Sequence, residues 1–270
     1  SSRFLGLIKD SLLNYDDLNL AYYIDHYFKL FNSIEIRNGL QLGLGIDYHI
    51  RQPNKNSSVN PIYNGKGEIL VTQYNFVPMI SLSWTPEQYY VMDRNQKVYV
   101  RSYYPTFKVE FAQSIDGALG GKSSYNRVEF DVNQRLRFGL MKSLNYHAGF
   151  GFFSRQKNEY FNDFAYFAKS YFPESWGDGI GGGFSVLRYH YYNSTDKYAQ
   201  AHLMYETSSF LFTRLRGLSS GVARERIYLS QLYTPFMKSY TEIGYGIGNR
   251  FLNAALFVGF HQLKYENISA

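Results

Sequence analysis

Residues 39–51 read Gly39-Leu40-Gln41-Leu42-Gly43-Leu44-Gly45-Ile46-Asp47-Tyr48-His49-Ile50-Arg51. An extended chain sends successive side chains to opposite faces. Leu40, Leu42, Leu44, Ile46, Tyr48 and Ile50 therefore share one side, and Gln41, Gly43, Gly45, Asp47, His49 and Arg51 the other. One face is apolar and the other wet, over a length that a tilted strand of about 9–11 residues needs to cross a bilayer. A sandwich strand alternates in the same way, so the fold is decided by whether the chain repeats the pattern at that length.

It does. Leu18–Phe31 sets Leu18, Leu20, Tyr22, Ile24, Phe28 and Leu30 against Asn19, Asp25 and Lys29, and Leu70–Trp84 sets Tyr74, Phe76, Ile80, Leu82 and Trp84 against Gln73, Asn75, Ser81 and Ser83. Thr106–Ser114 alternates Phe107, Val109 and Phe111 with Lys108, Glu110 and Gln113, and Leu144–Phe153 follows the same rule. Thr241–Gly248 opposes Thr241, Ile243, Tyr245 and Ile247 to Glu242, Gly244, Gly246 and Gly248, small residues that leave room on their side. Further strands are expected at 4–8, 185–192, 197–206, 222–233 and 252–264, about twelve in all. Pro78 removes a ladder donor and predicts a local bulge.

The sharpest case is Tyr125–Phe138, where Val128, Phe130, Val132, Leu136 and Phe138 oppose Arg127, Glu129, Asp131, Arg135 and Arg137. Desolvating an unpaired ion costs several kcal/mol, so that face is expected to meet water or to pair its charges. The expected lumen-facing polar residues are Asp47, His49, Arg127, Glu129, Asp131, Arg135, Arg137 and Glu242. They either form a selectivity surface in an open pore or pair as the polar core of a closed barrel, and the second is the expectation.

Asn38-Gly39 is a hairpin signal, because both residues tolerate positive φ. Counting strands up and down puts the long connections (51–67, 155–181, 209–221) and the short turns (33–39, 139–143, 193–196, 234–238) on opposite ends, as in a transmembrane barrel. The 85–103 connection is the exception. No domain boundary is read after residue 17, so residues 1–270 are expected to form one barrel.

Composition agrees. The chain of 270 residues is 19% aromatic, with 27 Tyr and 22 Phe, and a transmembrane barrel uses such rings as interfacial girdles. Tyr22, Tyr48, Trp84, Tyr146, Tyr189 and Tyr245 are expected to be such anchors. No run of about 18 apolar residues occurs, which excludes a transmembrane helix and leaves a barrel open. Cys is absent, which removes disulfides and Cys-ligated metals. The net charge of +6 suits anionic headgroups or lipopolysaccharide, and without a Lys/Arg run or basic helix no nucleic-acid partner is expected. Ser1-Ser2-Arg3-Phe4 has no signal-peptide pattern, so a mature chain or fragment is expected.

Trp84-Thr85-Pro86-Glu87-Gln88-Tyr89-Tyr90, Tyr104-Pro105-Thr106-Phe107 and Phe161-Asn162-Asp163-Phe164 resemble the barrel part of a Bacteroidota outer-membrane family of unassigned function. Its members join an N-terminal carboxypeptidase-regulatory-like β-domain to a C-terminal barrel. The similarity runs from about residue 18 to the end. That family is distantly similar to the surface-antigen superfamily of insertases and two-partner secretion transporters, whose barrels fold a Val/Ile-Arg-Gly-Phe/Tyr motif into the lumen. Leu215-Arg216-Gly217-Leu218 resembles the motif, with Arg216 and Gly217 matching and Leu on both flanks. The N-terminal β-domain has no counterpart here, and the last residue is not aromatic, so truncation is expected.

Enzymatic readings fare worse. Asp47-x-His49 with Asp25-His26 suggests an omptin-type protease, but Asp25 and His26 point to opposite faces and no second carboxylate pair is evident. Asn145-x-His147 suggests an outer-membrane phospholipase, but Gly149 stands where that arrangement needs its Ser. His190, His202 and His261 lack metal-ligand spacing. The expectation is an antiparallel up-and-down transmembrane β-barrel of about twelve or more strands in the outer membrane, without catalysis or cofactor. It would act in transport, in outer-membrane protein assembly or as an accessory subunit beside other envelope proteins. The competing expectations are a glycan-binding barrel, through loop residues such as Tyr160, Phe161 and Asn162, and a soluble β-barrel that binds an apolar ligand.

Overall fold

Gly39 takes φ +76° and makes the first reversal, between Tyr23–Arg37 (β1) and Leu40–Pro53 (β2). Only Gly39 of the Asn-Gly pair has positive φ, and a register shift between Glu35 and Arg37 adjusts the pairing beside the turn. A Cβ at Gly39 would lie 2.1 Å from the Thr85 carbonyl oxygen. Glycine is therefore required both by conformation and by the neighbouring chain. The turn fixes the β1–β2 register, so Asp25 stands opposite Arg51 and Lys29 opposite Asp47.

The structure is a computed structural model that describes residues 23–53, 72–139, 142–157, 165–167, 184–187, 192–193, 197–208, 224–235, 238–248, 253–262 and 264–269. The fold is all-β and antiparallel. After β2 the main sheet continues through Gln73–Trp84 (β3), skips the separate hairpin Tyr89–Asp93 (β4) and Gln96–Arg101 (β5), and resumes with Thr106–Ser114 (β6), Ser124–Arg137 (β7) and Lys142–Lys157 (β8). The short pair Ala165–Tyr166 (β9) and Tyr192–Asn193 (β10) stands apart. Lys197–Thr207 (β11), Arg224–Thr234 (β12), Lys238–Gly248 (β13), Asn253–His261 (β14) and Lys264–Ser269 (β15) complete the chain. The main sheet has eleven strands in the order β1-β2-β3-β6-β7-β8-β11-β12-β13-β14-β15, a meander broken only by the two inserted pairs. Its edges among the described residues are β1 and β15.

Several expectations need correction. Among the described residues of the strand expected at 185–192 none joins the main sheet: β8 pairs directly with β11, and Tyr192 in β10 pairs with β9. The chain from 158 to 196 is thus one connection, and 209–221 leaves from the same end of the sheet as the Asn38-Gly39 turn. The proposed division into a long-loop end and a short-turn end fails on this point. Pro78 causes no bulge: it stays in register opposite Ile46, and on its other side pairing with β6 begins at Met79. The 85–103 connection contains the β4–β5 hairpin, whose turn residues Arg94 and Asn95 both have positive φ. That hairpin is anchored by an ion pair from Lys97 to Glu35, with the Lys97 ammonium 4.3 Å above the Tyr90 ring. Partial desolvation weakens the Lys97 proton affinity, but Glu35 outweighs it and holds the group above the usual lysine range. The strand expected at 4–8, positions 18–22 of the following strand and positions 54–67 of the first long connection lie outside the described residues, while Arg51, Gln52 and Pro53 end β2.

The two faces of the main sheet differ as the alternation predicts, with the usual burial reversed. Leu44, Ile80, Leu82, Phe130, Leu229, Ile243 and Leu256 are exposed on one face, with Leu44 at 50% and Ile243 at 49%. On the other, Arg51, Gln73, Asn75, His202 and Glu242 are buried. The buried apolar cluster, which includes Phe153, Phe167, Phe184, Leu187, Tyr198, Leu232 and Tyr240, also lies on the polar side. There the inserted residues 165–167 and 184–187 meet the strands, tied to each other by Phe184 N–H donating to the Phe167 carbonyl at 2.6 Å.

Candidate functional site

The polar face is one continuous array of side chains, and strand register decides which of them meet. At the β1 edge, His49 Nδ1 lies 2.9 Å from Asp25 and Nε2 lies 3.0 Å from Asp47. Lys29 stands 3.8 Å from Asp47, and Arg51 Nε 3.7 Å from Asp25. In sequence Asp25 and its neighbour His26 point to opposite faces. The turn at Gly39 brings Asp25 to His49 across the β1–β2 pair, a cross-strand partner that no local spacing displays. Both imidazole nitrogens face carboxylates, so neither is presented to a water or substrate as a general base requires.

In the middle of the sheet Glu110 and Glu129 stand directly opposite one another, an arrangement that is destabilising when uncompensated. Arg127 resolves it: its guanidinium lies 3.5 Å from Glu110 and 3.4 Å from Glu129, and Lys108 adds a 2.9 Å contact to Glu110. Glu129 also accepts a hydrogen bond from the Tyr198 hydroxyl. One strand on, Asp131 meets His147 Nε2 at 2.8 Å. The His147 ring stacks on His202 at 5.7 Å between centroids, and His202 Nδ1 is 2.9 Å from the Ser230 hydroxyl. Near the opposite end of β3 and β6, Ser114 donates to Asn75 at 2.5 Å, and Ser123 lies 2.7 Å from Ser114.

Glu242 is the most heavily committed of these groups. Its carboxylate accepts the backbone N–H of Ser185 and Val186 at 2.8 Å each, that of Leu187 at 2.9 Å, and the Tyr240 hydroxyl at 2.8 Å. Three successive N–H groups converging on one carboxylate form an anion-binding nest supplied by the inserted chain. These charge-assisted bonds are stronger than neutral ones. A segment from the connection between β8 and β11 is thereby held on the polar face, with Phe184 1% exposed and packed 4.8 Å from the His202 ring.

Asp47, His49, Arg127, Glu129, Asp131, Arg135, Arg137 and Glu242 all lie on this face by register. Arg135 lies 3.6 Å from Glu206, and Arg137 stands opposite Ser143 at the end of β7. Arg216 and Gly217 lie outside the described residues. Glu225 is fully buried. The glycines of this face do not leave open space. A Cβ at Gly244 would be 2.4 Å from the Phe257 ring, and one at Gly151 2.4 Å from the Tyr198 ring. The rings of neighbouring strands lie over the bare backbone.

Residues 9–247 match the family described as "Family of unknown function (DUF5686) C-terminal domain". No curated protein matches the chain.

Proposed function

The chain belongs to this DUF5686 C-terminal-domain family, and within it we propose that the protein is an integral outer-membrane β-barrel of a Gram-negative bacterium. In this reading it acts without catalysis, as an assembly or accessory barrel working with other envelope proteins. The observation that carries the reading is the reversed polarity of the sheet: Leu44, Phe130, Leu229 and Ile243 are exposed, while Glu242, His202 and Arg51 are buried. A contiguous apolar surface of this kind calls for a partner that is itself apolar, and lipid tails meet every strand of the meander alike.

Eleven antiparallel strands leave β1 and β15 running in the same direction. A fully antiparallel closure thus takes an even number of strands, twelve at the least. The ion pairs across β6, β7 and β8 and the segment held by Glu242 favour a closed interior over an open pore. A closed interior supports assembly or scaffolding over passive transport, in keeping with the likeness of Tyr104-Pro105-Thr106-Phe107 to a Bacteroidota barrel family.

Purified protein in planar bilayers tests the reading. Insertion from detergent with no steady current is expected. Large stable conductance steps would replace the closed barrel by a pore, and solubility without detergent would remove the membrane assignment altogether.

A further inference from the structure

At the end of the polar face where β7, β8, β11 and β12 meet, Arg135, Arg137, Lys142 and Arg224 surround a cavity of about 210 Å³, which Gly139, Ser143, Glu206 and Ser208 also line. Glu206 is the only carboxylate in that lining, and it is already neutralised by Arg226, whose Nε donates to Oε2 at 2.9 Å between two side chains that are each 12% exposed. Arg135 and Arg224 reach the other oxygen only at 3.6 Å. Once the Glu206–Arg226 pair is set aside, four cations remain around the cavity, and Arg137 and Lys142 have no acidic partner among the described residues.

A second observation is independent of the charge. Ser143 is 4% exposed, lines the cavity, and its hydroxyl has no hydrogen-bond partner among the described residues. A buried hydroxyl without a partner costs about 1–3 kcal/mol, a cost that a bound acceptor removes. The chain that joins these strand ends adds no competing carboxylate by sequence: 138–141 and 249–252 contain no Asp or Glu, and 209–223 contains Arg214 and Arg216 and no carboxylate.

We propose that this cavity binds a phosphate monoester, with the Arg135, Arg137 and Arg224 guanidinium groups and the Lys142 ammonium receiving its charge and Ser143 donating to one of its oxygens. Guanidinium forks match phosphate oxygens in pairs, and a dianion offsets the mutual repulsion of the clustered cations. The inference does not depend on closure of the sheet, since all eight lining residues come from four neighbouring strands and their ends.

The test is calorimetric titration of the full chain in detergent with inorganic phosphate at constant ionic strength. Wild-type protein is expected to bind, and the R137Q/K142Q double variant to bind about tenfold more weakly or worse. Glu206→Gln acts in the opposite direction: it frees Arg135, Arg224 and Arg226 from a competing carboxylate, and phosphate binding tightens. Because a misfolded variant does not gain affinity, the pair of results separates site from stability. No phosphate binding by the wild type, or equal affinity in all three proteins, overturns the proposal. Repeating the wild-type titration beside phosphatidylcholine vesicles with and without phosphatidic acid assigns the source. Competition from phosphatidic acid marks a lipid headgroup, and unchanged affinity marks a soluble ester.

Discussion

The carboxylate of Glu242 and the backbone N–H of Val186 meet at 2.8 Å across 56 positions of sequence. A strand of the main sheet thereby holds a connection that would otherwise be free to leave it. Glu242→Ala removes the acceptor for three N–H groups and the Tyr240 hydroxyl at once, and leaves buried donors unsatisfied. Hydrogen bonds to a charged group contribute about 1.5–3 kcal/mol each and are not additive here, so a total loss of about 3–5 kcal/mol is expected. The check is the urea midpoint in detergent together with protease cleavage within 184–187, which should become fast in the variant. Unchanged protection of that segment would show that packing of Phe184 and Leu187 holds it without the carboxylate.

Ile243 and Phe130 decide between lipid and water as the medium outside the sheet. Both are exposed, at 49% and 41%. In a soluble protein Ile243→Arg at such a position stays within about 0.5 kcal/mol of wild type. Against lipid tails the same change costs about 2–4 kcal/mol near the midplane. Folding equilibria measured in vesicles distinguish the two values directly. A neutral Ile243→Arg and a neutral Phe130→Arg together would remove the membrane from the proposed function.

Arg127 lies between Glu110 and Glu129, at 3.5 and 3.4 Å. Arg127→Ala leaves two facing carboxylates with Lys108 and the Tyr198 hydroxyl beside them, and removal of one partner from such a group costs about 3–5 kcal/mol. Adding Glu110→Gln takes away half of the repulsion, so the double variant is expected to recover part of the loss. A double-mutant cycle with no coupling would mean that the three charges are solvated separately.

How much of this was legible can be seen strand by strand. Residues 106–114 and 124–137 were placed to within a residue, because alternating Phe/Val and Lys/Glu leaves one arrangement that keeps oil from water. The stretch 85–103 reads in sequence only as a connection, whereas the structure folds a hairpin there with Asn95, a residue type that adopts positive φ readily, in its turn. The partners on the polar face were illegible for a different reason. Alternation says which side Glu110, Arg127 and Glu129 share, but only the register between strands says that Glu110 and Glu129 face one another. The segment 184–187 overlaps the strand expected at 185–192. What places it is a carboxylate 55 to 57 residues later, at Glu242.

The glycines of the polar face carry the last prediction. Read from sequence, Gly244, Gly246 and Gly248 leave room on the polar side, and Gly151 lies on the same face. In the structure the ring of Tyr198 lies over Gly151, where a Cβ would sit 2.4 Å from Cε1, and the Tyr198 hydroxyl donates to Glu129. Gly151→Ala therefore pushes Tyr198 away from its acceptor, and such overpacking costs about 1–3 kcal/mol. In a Tyr198→Leu background the ring is gone, and the same substitution should cost about 0.5 kcal/mol or less, since alanine suits an extended backbone better than glycine does. Thermal or urea unfolding of the four proteins gives the coupling. If Gly151→Ala is equally tolerated in both backgrounds, the ring has room to move, the interior is looser than its contacts imply, and the argument for a closed, non-conducting barrel weakens with it.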